Sequence, residues 1–280
     1  MLPFIDLSSQ FKRIQSEVEG RVISVLRSGQ YILGSEVSEF EDKLAKFTKV
    51  KHAISCSSGT DALIIALMAK GVGPGDAIFT TPFTYFATAE VIALLGATPI
   101  FVDIDISTFN IDPLALKSVI LALKKCDTSN NSLPKWPSEK LHGLKPKGII
   151  TVDLFGLPAN YDLINSIAAD HNLFVLEDAA QGFGGAVNGE QAGTLAEVGC
   201  TSFFPAKPLG CYGDGGALFT NDDELASLFR SIRVHGRGID KYENVRLGIT
   251  GRLDALQAAV LIPKLRIFPD ELKSRQQGHH

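Results

Sequence analysis

The feature that most constrains the fold of this chain is the alternation of seven short β-rich runs with helical segments. The runs are apolar at successive residues rather than at every second residue, which is typical of strands buried on both faces. Strands are predicted at 52–56, 77–82, 98–104, 148–155, 173–178, 199–204 and 216–220. Helices are predicted at 60–70, 84–95, 113–124, 160–171 and 222–233. This order predicts an α/β fold, with a mostly parallel seven-stranded sheet and helices on both faces.

The length and composition fit one large domain and the start of another. The 280 residues, 45% of them hydrophobic, are enough for a substantial core. A polar, proline-bearing stretch at 126–147 is interpreted as a surface insertion. A helical pattern restarts at 252–268, and the chain stops soon after it. We therefore expect a large domain over 1–248 and an incomplete small domain over 249–280.

Charge and hydropathy exclude several classes of partner. The net charge is −4, without a basic block, so no nucleic-acid partner is expected. The longest apolar run is interrupted by Glu90, Gly96 and Pro99, so no membrane span is expected. The N-terminus carries charge in every turn and does not resemble a secretory signal.

The cysteine pattern indicates reduced thiols in a cytoplasmic protein. No CxxC pair and no zinc spacing occurs among the four cysteines, so no metal site is expected. They are Cys56, Cys126, Cys200 and Cys211.

Ligands of parallel sheets bind at the carboxyl ends of strands, and three motifs fall there. In "SCSSGTDALIIAL", a strand ends at Cys56 and a helix starts near Thr60. A helix N-terminus offers unpaired N–H groups and a positive dipole end, so it can hold a phosphate. The alternative is an ordinary N-cap at Ser58 or Thr60, with Asp61 in the first turn.

The second motif is "LEDAAQGFGG", in which Asp178 ends a buried strand before two alanines. A carboxylate there can face a ligand closely, and the alternative is an acid that caps the next turn. Glu177 lies on the opposite face of the strand, because side chains alternate.

The third motif is "TSFFPAKPLGCYGDGGALFTN", which contains the single cation Lys207 between an apolar strand and a glycine-rich loop. Ser202 lies at the strand end, where its hydroxyl could bind an anion. The alternative for Lys207 is an ordinary surface lysine whose stem covers apolar surface. The glycines do not form a dinucleotide-binding loop, because the strand–GxGxxG–helix context is missing.

Together, the three motifs supply what pyridoxal phosphate requires. Lys207 can form the Schiff base, Asp178 can keep the pyridine nitrogen protonated, and the helix start with its hydroxyls can hold the phosphate. An aromatic side chain usually covers the ring face, and "TTPFTYFATAE" offers Tyr85 for that position.

At this point the sequence resembles a known family, on motifs that keep their order and spacing. "SSGTDAL", "PFTYFATAE", "VDIDISTFNID", "LEDAAQGFGG", "FFPAKPLGCYGDGGA" and "GRLDALQAAVL" together resemble the DegT/DnrJ/EryC1/StrS sugar aminotransferases. The resemblance implies a fold-type I enzyme that uses pyridoxal phosphate and acts on nucleotide-linked keto-sugars. "SGQYILG" is most similar to members that aminate UDP-2-acetamido-2-deoxy-3-oxo-glucuronate.

The resemblance assigns roles to individual residues. It implies that Lys207 and Asp178 are catalytic and that Gln181 lies near the ring hydroxyl of the cofactor. The implied phosphate-binding residues are Gly59, Thr60 and Ser202, and the implied ring-stacking residue is Tyr85. The implied sugar-nucleotide contacts are Gly29, Tyr31 and Arg252. The family builds its active sites across a homodimer, so a homodimer is expected.

Two departures from the family pattern are visible. Thr250 stands where many members have an asparagine that reaches the cofactor phosphate of the neighbouring subunit. The family also usually continues for about another hundred residues, which complete the small domain. The resemblance therefore implies that the small C-terminal domain is truncated here.

The resemblance implies a two-stage transamination with L-glutamate as the amino donor. Lys207 would move the proton in each stage. The alternative is an inactive truncated or regulatory relative that binds the cofactor without turnover. A nicotinamide-dependent enzyme is the remaining possibility, and it lacks its glycine fingerprint.

Overall fold

The computed structural model describes residues 6–127, 129, 133, 135, 138–240 and 242–277. The strands found there are β1 (His52–Cys56), β2 (Asp76–Thr80), β3 (Thr98–Phe101), β4 (Lys145–Val152), β5 (Phe174–Asp178), β6 (Ala186–Val187), β7 (Glu190–Gln191), β8 (Val198–Ser202) and β9 (Gly216–Thr220). The helices found there are α1 (Leu7–Ser28), α2 (Ser35–Thr48), α3 (Gly59–Ala69), α4 (Ala87–Leu94), α5 (Pro113–Lys125), α6 (Ser138–His142), α7 (Tyr161–His171), α8 (Asp223–Ile232) and α9 (Ala255–Gln277), with a 3₁₀ turn at Leu154–Gly156.

Seven of the strands form one sheet, in the order β1-β9-β8-β5-β4-β2-β3. Strands β3, β2, β4, β5 and β8 pair in parallel, whereas β9 is antiparallel to both β8 and β1. The predicted α/β fold with a mostly parallel seven-stranded sheet is confirmed. Six strands therefore point the same way, and their carboxyl ends lie along one edge of the sheet.

Successive residues of each strand pack on opposite faces of the sheet. Ile150 of β4 packs in a core with α3, α4 and α8, whereas its neighbour Ile149 packs in a core with α5 and α7. A further core, which includes Phe219 of β9, joins α2 and α9 to the sheet. Each face is therefore covered, which explains why the strands are apolar at successive positions.

Helix boundaries follow from capping groups. The side chain of Asp112 accepts a hydrogen bond from the Leu114 amide, and Pro113 occupies the first helical position of α5. At α8, the Asp222 side chain caps two amides in the same way. The bounds of α5 and α8 agree closely with the sequence prediction.

Helices α1, α2 and α6 were not predicted, although α1 and α2 both carry an apolar stripe. In α2 the buried residues Val37, Phe40 and Leu44 recur at helical spacing. In α1 the buried residues are more widely spaced along a charged helix. The charged residues of α1, which argue against a signal peptide, also obscure the spacing of its buried residues. Helix α4 also begins three residues later than predicted, and β3 ends three residues earlier.

The C-terminal helix packs on the rest of the molecule. Helix α9 contacts α1 and α2, and its Phe268 ring stacks on Phe183 at a centroid distance of 5.9 Å. It continues beyond the predicted 252–268 and contains Pro263 and Pro269. The domain boundary at 249 stays a prediction.

The segment 126–147 lies partly outside the described residues. Within its described part, Leu133 and Leu141 are buried in the core formed with α5 and α7, so this part is anchored rather than wholly superficial. Strand β4 already begins at Lys145. No helix among the described residues combines the length and the apolar character needed to cross a membrane.

Candidate active site

A cavity of about 690 Å³ lies at the carboxyl ends of the strands. The structure brings all seven predicted cofactor-binding residues to its wall. They are Gly59, Thr60, Tyr85, Asp178, Gln181, Ser202 and Lys207. Their convergence is a structural fact, and the role of each residue stays a prediction.

One end of the cavity is formed by the N-terminus of α3. Ser58 caps the helix by accepting a hydrogen bond from the Asp61 amide at 3.0 Å, as the ordinary N-cap interpretation predicted. This cap leaves the first amides of the helix, at Gly59 and Thr60, without a partner inside the helix. The helix start is therefore both capped and able to bind an anion.

Close packing holds this end in place. A Cβ atom at Gly59 would lie 2.7 Å from Ser202 Cβ, and one at Gly216 would lie 2.4 Å from the Ser58 carbonyl oxygen. Only glycine allows α3 to lie so close to the last residue of β8 and the first residue of β9. The Ser202 hydroxyl thereby reaches the same end of the cavity, where its oxygen accepts a hydrogen bond from the Phe204 amide at 3.2 Å.

Asp178 lies at the end of β5, and its side chain is oriented by two donors. The Thr88 hydroxyl donates to Oδ2 at 2.9 Å, and the Ala180 amide donates to Oδ1 at 3.2 Å. Burial raises the pKa of Asp178, while these hydrogen bonds and the nearby Lys207 ammonium oppose that shift. The predicted separation of faces is observed, because Glu177 instead accepts hydrogen bonds from Gly193 and Leu195.

Lys207 lies on the loop that connects β8 to β9. The loop begins with Phe203, whose amide donates to the Gly215 carbonyl at 2.7 Å, and whose carbonyl accepts from the Cys211 amide at 2.7 Å. A tight turn follows, in which the Lys207 amide donates to the Phe204 carbonyl at 2.8 Å. The half-buried lysine therefore extends from a rigid turn, unlike a surface lysine on a mobile stem.

The remaining wall is aromatic and amide-bearing. The Phe155 amide donates to Gln181 Oε1 at 2.9 Å, which leaves the amide nitrogen of Gln181 as a donor. Tyr85 is 72% exposed at the cavity wall. The cavity can therefore hold a flat ring between aromatic and apolar surfaces.

Sequence reasoning missed two groups that shape this cavity. Thr88, in the first turn of α4, is fully buried and bound to Asp178. Phe155 lines the cavity from the 3₁₀ turn, where its φ of 55° is unusual for a bulky residue. Thr88 could have been identified from its position about one helical turn after Tyr85, in the motif "TTPFTYFATAE".

The three residues predicted to contact the sugar nucleotide do not line this cavity. Gly29 caps α1 in a left-handed conformation, and the Tyr31 carbonyl accepts from the Ala255 amide at 2.9 Å. Arg252 donates to the Thr250 hydroxyl at 2.8 Å. The bridge between Ile32 and Asp254 brings the segments that carry these residues side by side. Their substrate role stays a prediction.

The four cysteines are free thiols, as predicted, and the chemistry of the cavity comes from other groups. The cavity is lined by an amine, a buried carboxylate with two hydrogen-bond donors, and the N-terminus of a helix that can bind an anion. This donor set fits a flat, phosphate-bearing aldehyde with a basic ring nitrogen.

Comparison with known proteins gives a consistent result over nearly the whole chain. The model of the DegT/DnrJ/EryC1/StrS aminotransferase family matches residues 12–280. The UDP-2-acetamido-2-deoxy-3-oxo-D-glucuronate aminotransferase of Pseudomonas aeruginosa is 50% identical over 99% of this chain and 71% of its own length.

Solved structures agree. A DegT DnrJ EryC1 StrS aminotransferase from Brucella abortus matches with a TM-score of 0.92 at 48% identity, over 99% of this chain and 70% of that one. The protein ntda from Bacillus subtilis, whose crystal structure contains the cofactor PMP, matches with a TM-score of 0.81 at 28% identity. That match covers 96% of this chain and 56% of ntda.

Proposed function

Because the chain belongs to the DegT/DnrJ/EryC1/StrS aminotransferase family, we propose that it binds pyridoxal phosphate and aminates a nucleotide-linked keto-sugar. L-glutamate is the amino donor. The observation that carries the proposal is the convergence of Lys207, Asp178 and the α3 N-terminus on one cavity. The keto-sugar is UDP-2-acetamido-2-deoxy-3-oxo-glucuronate, which is supported by the 50% identity to the Pseudomonas aminotransferase.

The residues of the cavity fit the cofactor. The Gly59 and Thr60 amides and the Ser202 hydroxyl hold its phosphate at the positive end of the α3 dipole. The Gln181 amide faces the ring hydroxyl, and Tyr85 covers one ring face. When bound, the cofactor supplies an aldehyde for amine exchange and a protonated ring that accepts electrons from the substrate carbon.

Asp178 and Lys207 then have separate roles. The Asp178 carboxylate keeps the ring nitrogen protonated, and its two donors, Thr88 and Ala180, hold it in that orientation. The Lys207 amine would anchor the cofactor and, once displaced by an amino substrate, would act as the general base and acid that moves a proton between the substrate carbon and the former aldehyde carbon of the cofactor. The turn that carries Lys207 would limit the region that its amine can reach.

We also propose that the working form is a homodimer in the cytoplasm, with Gly29, Tyr31 and Arg252 contacting the sugar nucleotide. These three residues lie outside the cavity wall, so a subsite that adjoins the cavity is part of the proposal. The Thr250 hydroxyl, which accepts from Arg252, can still donate one hydrogen bond where many members have asparagine.

The test is a product assay with purified chain, pyridoxal phosphate and L-glutamate. UDP- and dTDP-linked keto-sugars are supplied one at a time, and mass spectrometry detects the amino sugar and 2-oxoglutarate. We expect turnover of the UDP-linked 3-oxo-uronate. Cofactor binding without any glutamate half-reaction would instead support the inactive-relative alternative.

A further inference from the structure

Two carboxyl groups lie in contact behind Asp178, and the proposed mechanism does not use them. They belong to Asp153 and Glu177, and each residue is 0% exposed. The two carboxyls lie within hydrogen-bonding reach of each other. Glu177 immediately precedes Asp178 in β5, and the Asp153 amide donates to the Asp178 carbonyl oxygen at 3.1 Å. The pair is therefore coupled to the proposed partner of the ring nitrogen.

The hydrogen bonds of the pair leave one acceptor to be explained. Both oxygens of Glu177 accept backbone amides, one from Gly193 and one from Leu195 at 2.8 Å. Oδ1 of Asp153 accepts from the Tyr161 hydroxyl at 2.7 Å and from the Ala159 amide at 3.2 Å. Oδ2 of Asp153 is shielded from solvent and has no conventional donor among the described residues. A proton on the neighbouring Glu177 would supply this buried acceptor with a donor.

The charges of the two carboxyls also favour a shared proton. Within the described part of the chain, no lysine or arginine forms an ion pair with either carboxyl. Two buried carboxylates in contact cannot both stay ionised without a cation, because their repulsion adds to the cost of desolvation. One of the two acids must be neutral.

We propose that the pair holds one proton, which Glu177 carries and donates to Oδ2 of Asp153, and that the pair positions Asp178 while adding only one negative charge behind it. With the proton on Glu177, Oδ2 of Asp153 gains the donor it lacks, while Oδ1 keeps the hydroxyl and the amide that it already accepts. The influence on Asp178 rests on the proposed function, whereas the shared proton concerns the chain alone.

Titration of the surrounding groups agrees with this assignment. Burial raises the pKa of Asp153 to about 6 and that of Glu177 well above its ordinary value. The other ionisable groups around the pair are Tyr161, Asp178 and Cys200, and burial raises the pKa of each. At neutral pH, Tyr161 and Cys200 are therefore uncharged, and no cation compensates the pair directly.

The pair also ties together the backbone around the cavity. Through Ala159 and Tyr161, Asp153 holds the segment after β4, and Glu177 holds the loop at 193–195 that leads into β8. Gly182 is required beside the pair, because a Cβ atom there would lie 2.6 Å from Asp153 Cβ. Asp178 and Ser202 therefore keep their relative positions through this link.

The first experiment uses the ligand-free protein and infrared spectroscopy at pH 8. We expect a carbonyl band of a protonated, buried carboxylic acid in the wild type. Uniform ¹³C-labelling of glutamate should shift this band, and ¹³C-labelling of aspartate should not. Glu177→Gln should abolish it, because the remaining carboxyl of Asp153 has a pKa of about 6 and ionises at pH 8. Absence of the band, a shift with labelled aspartate, or survival of the band in Glu177→Gln would overturn the proposal.

The second experiment uses the protein loaded with pyridoxal phosphate and follows the visible absorbance against pH. Glu177→Gln keeps one negative charge at the pair, on Asp153, so its titration midpoint should match the wild type. The double variant Asp153→Asn/Glu177→Gln removes that charge and should move the midpoint down by about 1 pH unit. A Glu177→Gln protein whose midpoint shifts as far as that of the double variant would contradict the shared proton. Failure of every form to bind the cofactor would count against the proposed function, and the infrared result would stand independently.

Discussion

The hydroxyl of Thr88 donates a hydrogen bond to Asp178 Oδ2 at 2.9 Å, and both side chains are buried. This donor stabilises the ionised form of Asp178 against the cost of burial. It also fixes the rotation of the carboxylate, so that the remaining lone pairs face the cavity. A threonine that precedes Asp178 by ninety residues in the sequence thus controls its charge and orientation.

Replacing Thr88 with valine should weaken cofactor binding. The change keeps the side-chain shape but removes the donor, so the pKa of Asp178 rises further and the carboxylate is less ionised. We expect a loss of about 1.5–3 kcal/mol in the binding of pyridoxal phosphate, as for a hydrogen bond to a charged group. Fluorescence titration measures the affinity, and Thr88→Ser is the matched control. Equal affinity of the valine and serine variants would remove Thr88 from the account.

Lys207→Ala should abolish covalent attachment of the cofactor. The change removes the amine that lies on the cavity wall. We expect no visible band of lysine-bound cofactor and, after borohydride reduction, no labelled peptide around position 207. Lys207→Arg keeps the charge without a suitable nucleophile and should behave in the same way. Lys51→Ala, a change at an exposed lysine paired with Asp223, should retain the wild-type band. Labelling of Lys207→Ala at wild-type yield would defeat the assignment.

Gly59→Ala should disturb the helix end that faces the cavity. The new methyl would lie 2.7 Å from Ser202 Cβ, so α3 and β8 must separate. We expect a stability loss of about 1–3 kcal/mol, as for overpacked core positions, together with weaker phosphate binding. Gly20→Ala is the control, because that glycine lies in α1 with nothing near its Cβ position. This control should gain about 0.5–1 kcal/mol. Thermal and urea unfolding of both variants provide the comparison, and an unchanged Gly59→Ala protein would show that the two elements can separate freely.

The unfolding free energy of the ligand-free protein should fall as pH rises from 5 to 8. Burial raises the pKa of Glu177 above its ordinary value, so in this range the folded state keeps a proton that the unfolded state has lost. The stability from this group is complete below the unfolded pKa and declines above it. One retained proton corresponds to about 1.4 kcal/mol per pH unit.

Glu177→Gln should reduce this slope by about that amount, because glutamine does not titrate. Urea denaturation at pH 5, 6, 7 and 8 measures the slope. Glu224→Gln, at an exposed residue in the first turn of α8, controls for loss of a carboxyl elsewhere. A slope that is unchanged by Glu177→Gln would mean that Glu177 is ionised throughout this pH range.

Much of the sheet and the cavity was predictable, because both depend on local patterns. Strands buried on both faces appear as continuous apolar runs, and Asp178 and Lys207 stand out as polar residues just after such runs. The capping role of Ser58 followed from its place before a helix.

What could not be predicted depends on contacts between distant segments. The hydrogen bond from Thr88 and the pairing of Asp153 with Glu177 arise only when β4, β5 and α4 meet. The period of α2 was readable in Val37, Phe40 and Leu44, but charged residues between them obscured it. The antiparallel direction of β9 has no local signature at all.

That reversed direction has a mechanical consequence for Lys207. Because β9 is antiparallel to β8, it starts at the edge of the sheet where β8 ends. The loop that connects them stays at this edge and needs no crossover helix. The loop that carries Lys207 is therefore attached at both ends to paired strands. Movement of the outer helices should displace other parts of the cavity wall more readily than the backbone of this loop.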